Sequence, residues 1–235
     1  MPNTFTFGSV TSSTYGVYIS GSGVFNAPAR DYEYIEVPGR SGDLVINNKR
    51  LRNIDLVYPA FITSSLSSNI SGLESALLSQ IGYQRLTDSY HTSEFRLATF
   101  EGPLDVTPIK KLSAGEFEIL FRCKPQRFLT SGESTTTLTS TGSISNPTLF
   151  DSKPQIVVTG YGELGVGGQT ITISNQYTSV TIDSDIGDCY SGSDNANPYV
   201  TFSDDQFPVL KPGSNAITLD ATITKVVITP RWWTL

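Results

Sequence analysis

Apolar and polar side chains alternate along much of this chain, and this two-residue period constrains the fold more than any other feature of the sequence. The pattern is clearest at residues 32–37, 53–58, 95–100 and 116–123. Successive side chains of a β-strand point to opposite faces, so such segments predict strands that bury one face. We therefore expect an all-β protein.

A double-glycine turn follows the first of these strands. Residues 38–43 have the sequence Pro-Gly-Arg-Ser-Gly-Asp, and a second apolar run begins at Leu44. Glycine reaches the positive φ angles that tight turns require. Residues 32–46 are therefore predicted to form a β-hairpin, with Gly39, Arg40 and Gly42 at its tip.

One segment has a helical period instead. Ile70, Leu73, Leu77 and Ile81 recur at helical spacing, and residues 71–74 resemble a capping box that Ser71 and Glu74 would form. Gly82 would end the helix. We predict one short amphipathic helix packed on one side of a β-sandwich.

A change of composition divides the chain. Residues 131–145 are rich in Ser, Thr and Gly, which is typical of a linker or of an exposed edge segment. We predict a first domain at 1–130 and a second β-sandwich at 146–235. The last strand either closes the second domain or returns to the first. Six short strands are predicted in the second domain, at 154–158, 170–173, 180–183, 199–202, 215–219 and 225–229.

Charge and hydropathy argue against several classes of protein. The net charge is −6, and the 16 Lys and Arg residues are scattered, whereas a nucleic-acid surface needs clustered cations. No apolar run approaches the roughly 20 residues that span a bilayer. The first residues lack the basic and apolar regions of a signal peptide, so we expect synthesis in a cytosol without export.

The sequence offers little for catalysis or for cofactor binding. His91 is the single histidine, which excludes zinc sites built on a histidine pair, and we expect it in a surface loop. Two carboxylate pairs, Glu116 with Glu118 and Asp183 with Asp185, have the spacing of one strand face. That spacing suits a glycosidase, but it describes any solvated strand equally well. We predict a protein that is not an enzyme and has no cofactor and no metal site.

Three other features have ordinary structural interpretations. Cys123 and Cys189 lie far apart and outside any CxxC spacing, which predicts buried reduced thiols rather than a disulfide or a metal site. Residues 183–188 faintly resemble a calcium loop, but a polar turn explains them better. The glycine-rich residues 160–168 predict a hairpin turn.

Trp232 and Trp233 stand side by side near the end of the chain. On a strand, one of them faces inward and the other outward. The outward ring is open to a sugar, another subunit or another domain, and the sequence does not choose among these.

Many short patches, matching in order along the chain, resemble the distal tail protein (Dit) family of siphophages. The most characteristic is Val-Pro-Gly-Arg-Ser-Gly-Asp-Leu at residues 37–44. The remaining patches lie at 5–8, 16–19, 82–86, 95–98, 121–127, 146–148, 154–158, 182–184, 207–215 and 229–233.

The resemblance implies a specific architecture and role. The first domain, a β-sandwich with a helix, would form a homohexameric ring below the tail tube protein and above the spike or lysin protein, and DNA would pass through it without specific binding. The second domain would be a galectin-like sandwich, which in some relatives carries receptor-binding proteins. Longer members contain an inserted carbohydrate-binding module, for which 235 residues leave little room. The implied location is the virion tail tip, after assembly in the cytoplasm of the host bacterium.

Three hypotheses follow from the sequence. The leading one is a hexameric hub, with Arg40, Gly39, Gly42, Trp232 and Trp233 as candidate interface residues. The second is a lectin-like tail component that binds host cell-wall sugars through Trp232 or Trp233. The third is a glycosidase.

Overall fold

The computed structural model describes residues 2–21, 26–109 and 114–235. Within these ranges the chain is nearly all β-structure, with one α-helix, α1 (Leu66–Leu78). The predicted fold class, all-β with one short helix, is confirmed. The chain divides into two units, Met1–Arg127 with Leu235, and Phe128–Thr234. No helix in the described ranges is long and apolar enough to cross a membrane.

The first unit contains ten described strands. They are β1 (Phe5–Phe7), β2 (Val10–Thr11), β3 (Val17–Ile19), β4 (Arg30–Ile35), β5 (Leu44–Leu51), β6 (Ile54–Ile62), β7 (Gln84–Asp88), β8 (Glu94–Thr99), β9 (Thr107–Ile109) and β10 (Ala114–Cys123).

Most of these strands form one curled antiparallel sheet in the order β2-β1-β7-β8-β10-β6-β3, with β9 paired to β10. A bridge between Asn3 and Ile19 brings the two ends of the sheet together. The sheet encloses an aromatic core in which the rings of Phe5, Tyr58 and Phe121 lie 5.4–6.1 Å apart. Each of these side chains is the inward member of an alternating strand.

The helix begins and ends earlier than the sequence predicted. It starts after Ser65, and its buried residues are Leu66, Leu73 and Leu77. Ser71 therefore lies inside the helix, and the predicted capping box does not form. Ile81, the last residue of the predicted apolar stripe, lies beyond the helix and is 88% exposed.

The strands β4 and β5 form a separate two-stranded hairpin, as predicted. Its strands pair with each other and with no other strand among the described residues. Most of its side chains are exposed within the described chain.

A short strand, β11 (Arg127–Leu129), spans the boundary, and the second unit continues with twelve more. They are β12 (Thr136–Leu138), β13 (Gly142–Asn146), β14 (Gln155–Gly160), β15 (Gly162–Val166), β16 (Gln169–Ile173), β17 (Ser179–Asp183), β18 (Asp188–Ser191), β19 (Asp194–Asn195), β20 (Val200–Phe202), β21 (Gly213–Leu219), β22 (Ile223–Thr229) and β23 (Trp233–Thr234).

Eleven of these strands form two sheets around one core. The orders are β12-β22-β14-β17-β18-β19 and β13-β21-β15-β16-β20. Their inward side chains, such as Ile156, Leu164 and Ile228, are fully buried. The second unit is therefore a β-sandwich.

Two glycine- or serine-rich segments of the second unit contain strands. For residues 131–145 the sequence predicted either a linker or an exposed edge segment. These residues contain β12 and most of β13, which lie at the edges of the two sheets. The glycine-rich stretch contains β15. Its hairpin turn is confined to Gly167 and Gly168, both at positive φ.

Candidate functional site

The β4–β5 hairpin exposes apolar side chains on both faces. Directly opposite residues share a face, so the pairs Ile35 with Leu44 and Glu33 with Ile46 define an aliphatic face. The alternate residues Tyr32, Tyr34 and Val45 define a tyrosine face. Tyr32 is half-buried, and the exposed fractions of Tyr34, Ile35, Leu44, Val45 and Ile46 range from 38% to 62%.

A hairpin of this kind is incomplete by itself. An isolated two-stranded hairpin is marginally stable in water, and a strand normally hides its apolar face against a core. Here neither face is covered within the described chain. The arrangement is typical of an element that another protein surface covers on assembly.

An ion-pair network holds the base of the hairpin. The Asp31 carboxylate is buried and accepts hydrogen bonds from Arg50 Nε at 2.6 Å and from Arg52 Nη2 at 2.8 Å. Hydrogen bonds from Arg50 and then Arg52 outweigh desolvation and lower the pKa of Asp31. Because Arg50 and Arg52 lie on or just after β5 and Asp31 lies on β4, the network fixes the two strands to each other at their base.

The predicted tip residues all lie at the far end of the hairpin. Gly39 and Gly42 have φ angles of +81° and +83°, and a Cβ at either position would meet nothing within 4 Å. Glycine is therefore required there by the backbone conformation and not by packing. Arg40 is exposed, its backbone N–H is bonded to the Val37 carbonyl at 3.1 Å, and its side chain has no ion-pair partner among residues 2–21, 26–109 and 114–235.

The outer face of the curled sheet offers a second surface in the same unit. On β6 and β10 the outward residues stand opposite each other as Val57 with Leu120, Pro59 with Glu118, and Phe61 with Glu116. An open groove of about 470 Å³ is lined by the last two of these pairs. This surface joins an apolar floor to two carboxylates.

The adjacent tryptophans divide as predicted, one inward and one outward. Trp232 is 5% exposed and belongs to the core of the second unit. The ring of Trp233 stacks on Phe150 with centroids 4.4 Å apart, and its Nε1–H donates to the Asp151 carbonyl at 2.9 Å. One face of the outward ring and its only hydrogen-bond donor are thus engaged within the chain.

The two carboxylate pairs have different surroundings. Glu116 and Glu118 both face solvent on β10, as the spacing predicted. Asp183 is 3% exposed, and its carboxylate accepts hydrogen bonds from Arg231 and Gln155. The polar turn after β17 is therefore organised by an ion pair. No group of three or more His, Cys, Asp or Glu side chains in the described part of the chain is placed to hold a metal ion.

His91 lies in a loop, but it is not the surface residue that the sequence predicted. Its side chain is 22% exposed, and Nδ1 lies 3.3 Å from Asp88 Oδ1. The hydroxyl of buried Tyr58 donates to the other Asp88 oxygen at 2.6 Å. Burial, and then the Asp88 charge, raises the pKa of Tyr58 far above its ordinary value. Residues in this cluster come from β6, β7 and the next loop, and they tie those elements together.

Sequence reasoning missed the apolar hairpin and the network at its base. Asp31, Arg50 and Arg52 are up to 21 positions apart, and no local pattern connects them. A local signal for the hairpin did exist. Leu44, Val45 and Ile46 are consecutive apolar residues, and such a run places apolar groups on both faces of a strand.

Comparison with known proteins identifies the fold. No family model matches the chain, and no curated protein matches it. The crystal structure of the phage SPP1 Dit protein (gp 19.1), described as a paradigm of the hub adsorption apparatus in phages that infect Gram-positive bacteria, superposes with a TM-score of 0.75 and 13% identity. That match covers 100% of both chains. The chain therefore has the Dit fold over its whole length, as the resemblance in sequence predicted.

Two structures of the phage P2 baseplate in its activated conformation, with Ca and with Sr, are more distantly similar. Their TM-scores are 0.48 and 0.47, with identities of 11% and 9%, and the matches cover 97% and 96% of both chains. Both scores lie below 0.5, which is too low to assign a shared fold.

Proposed function

We propose that this chain is a structural distal tail protein, which forms a homohexameric ring that joins the phage tail tube to the tip. The observation that carries the proposal is the full-length match to a hub protein of the same fold. The proposed location is the tail tip of the virion, after assembly in the host cytoplasm. The tail tube protein and the spike or lysin protein are the proposed axial partners, and a receptor-binding protein is a third.

The exposed hairpin supports an assembly role. Full burial of an aliphatic or aromatic side chain contributes about 1.5–3 kcal/mol, and the five large hairpin side chains Tyr34, Ile35, Leu44, Val45 and Ile46 are each still 38–62% exposed. Their coverage by a neighbouring copy would supply free energy for association. Gly39, Arg40 and Gly42 are proposed as interface residues at the hairpin tip.

The proposal assigns no catalytic activity. The protein with the same fold is named for a hub role, and this supports a structural function. Sugar binding through Trp232 or Trp233 has no comparable support, because Trp232 is core and Trp233 is stacked on Phe150.

Light scattering and negative-stain electron microscopy of the purified chain test the ring. We expect a particle with six times the 25.5 kDa mass of one chain, seen as a six-fold ring, either alone or after addition of the tail tube protein. The double variant Tyr34→Ser, Val45→Ser should remain monomeric. Leu149→Ser is the matched control, because Leu149 is 87% exposed but lies in the second unit. A chain that stays monomeric with and without the tube protein would refute the proposal.

A further inference from the structure

We infer that a small cavity inside the first unit binds one ordered water, which joins the guanidinium of Arg96 to the carboxylates of Asp88 and Glu94. The cavity has a volume of about 20 Å³. A single water requires at least about 10–15 Å³, so the cavity is large enough for a water and too small for an organic ligand. Its walls come from β6, β7, β8 and the loop between β7 and β8, and besides Arg96 they include Tyr58, Leu86, Asp88, His91 and Glu94.

Arg96 is a charged residue in the core of the curled sheet. It lies on β8 opposite Leu86 of β7, and it is only 8% exposed. Its Nη1 atom is buried and has no hydrogen-bond partner among residues 2–21, 26–109 and 114–235. Desolvation lowers the pKa of Arg96, but a guanidinium stays protonated in proteins. A buried donor on a charged group is costly to leave without a partner, so a native core supplies it with an acceptor from the protein or from an ordered water.

Two neighbouring carboxylates can accept hydrogen bonds from such a water. Glu94 lies two residues before Arg96, so the two side chains share a face of β8. Its Oε1 and Oε2 accept from Arg127 Nη1 at 3.0 and 3.3 Å, and Asp88 Oδ2 accepts from the Tyr58 hydroxyl at 2.6 Å. Each carboxylate oxygen has two acceptor sites, so these oxygens have capacity for a further bond. A water that accepts from Arg96 and donates to both carboxylates would make about the three bonds that an internal water typically makes.

The charges around the cavity favour a neutral occupant. The Asp88 and Glu94 carboxylates repel an anion such as chloride, and the Arg96 guanidinium repels a metal cation. His91, whose Nδ1 lies 3.3 Å from Asp88 Oδ1, is the titratable group that the loop contributes to the wall. A water carries no net charge and both accepts and donates, so it can bridge groups of opposite sign.

A crystal structure of the whole chain, at a resolution that shows ordered waters, tests the site. Crystals are grown with bromide in place of chloride, because the anomalous scattering of bromide identifies a bound halide. We expect a peak without anomalous signal, within about 3.2 Å of Arg96 Nη1 and of a Glu94 carboxylate oxygen. An anomalous peak at that position would replace the water with a halide and overturn the inference. The lack of any peak there would overturn it too.

A matched pair of variants tests the role of Arg96. Arg96→Met keeps a long side chain but removes the donor, and the peak should disappear. Arg122→Met is the control, because Arg122 is exposed on β10, and it should keep the peak. A peak that persists in Arg96→Met would show that Arg96 does not hold the water. If Arg96→Met does not fold, the wild-type chain gives a solution readout, in which the methyl groups of Leu56 and Leu86 should show cross-relaxation with a long-lived water. Its absence would overturn the inference.

Discussion

Arg231 donates a hydrogen bond from each terminal nitrogen to the Asp183 carboxylate, Nη1 to Oδ1 at 2.6 Å and Nη2 to Oδ2 at 2.8 Å. Asp183 ends β17, and Arg231 directly precedes the buried Trp232. The pair therefore fastens the last segment of the second unit to the middle of its larger sheet. Such bidentate pairs are among the stronger hydrogen-bonded contacts in proteins.

Loss of the cation should destabilise the second unit. Arg231→Met leaves the buried Asp183 carboxylate without its main partner, and removal of one member of a buried pair costs about 3 kcal/mol or more. Denaturant unfolding followed by circular dichroism measures the change. Arg40→Met is the control, because Arg40 is exposed and unpaired within the described chain, and it should change the free energy of unfolding by less than about 0.5 kcal/mol. Equal effects of the two variants would contradict the structural role of the pair.

The same pair predicts a pH dependence. Burial raises the pKa of Asp183, but the hydrogen bonds and charge of Arg231 outweigh it and hold the pKa below its ordinary value of 3.8. A depressed folded-state pKa contributes stability above the unfolded-state pKa, and this contribution disappears as the pH falls through the folded value. The difference in free energy of unfolding between wild type and Arg231→Met should therefore be largest near neutral pH, where Asp183 is ionised in both proteins, and shrink as the pH falls towards and below about 4. A difference that stays unchanged down to pH 2 would refute the assignment.

The sequence predicted the strands well where one face is buried and the other is exposed to solvent. The strands β6, β8 and β10 match the predicted segments because their apolar and polar residues alternate in step with their buried and more exposed side chains. The helix boundaries were wrong because the predicted stripe omitted Leu66 and included Ile81. Which apolar residue reaches the core depends on the path of the chain beyond the helix, and no local spacing contains that information.

The sequence predicted the tip of the candidate hairpin surface but not the exposure of its apolar faces. The glycine pattern located the hairpin tip, since positive φ is a local property. The coverage of the hairpin and the burial of Asp31 depend on contacts between distant segments. The apolar run Leu44-Val45-Ile46 was the available clue that both faces of β5 require a partner.

Both cysteines should be unreactive in the folded protein. Cys123 and Cys189 are fully buried, and desolvation raises the pKa of each thiol to about 12. Because the thiolate is the nucleophile, almost none is present at neutral pH. A chromogenic disulfide reagent at pH 8 should therefore titrate neither thiol in native protein and both in denaturant. Rapid reaction of one thiol before unfolding would show that its segment opens.

The two tryptophans should differ in stability and in spectrum. Trp232→Ala removes a buried core side chain, which typically costs about 3–5 kcal/mol. Trp233→Ala removes one aromatic stack and one hydrogen bond, each of which contributes about 1 kcal/mol. Denaturant unfolding of the two variants should show the larger loss for Trp232.

Fluorescence separates the two environments without a large loss of stability. Since the chain has only these two tryptophans, Trp233→Phe leaves Trp232 as the sole indole emitter, and Trp232→Phe leaves Trp233. The emission of Trp232 should lie at shorter wavelength and resist acrylamide, because its ring is 5% exposed. The emission of Trp233 should be redder and more readily quenched, since its ring is only half-buried against Phe150. Added cell-wall oligosaccharide should leave the Trp233 spectrum unchanged, whereas a saturable shift would revive the lectin hypothesis, with the exposed part of Trp233 as the binding surface.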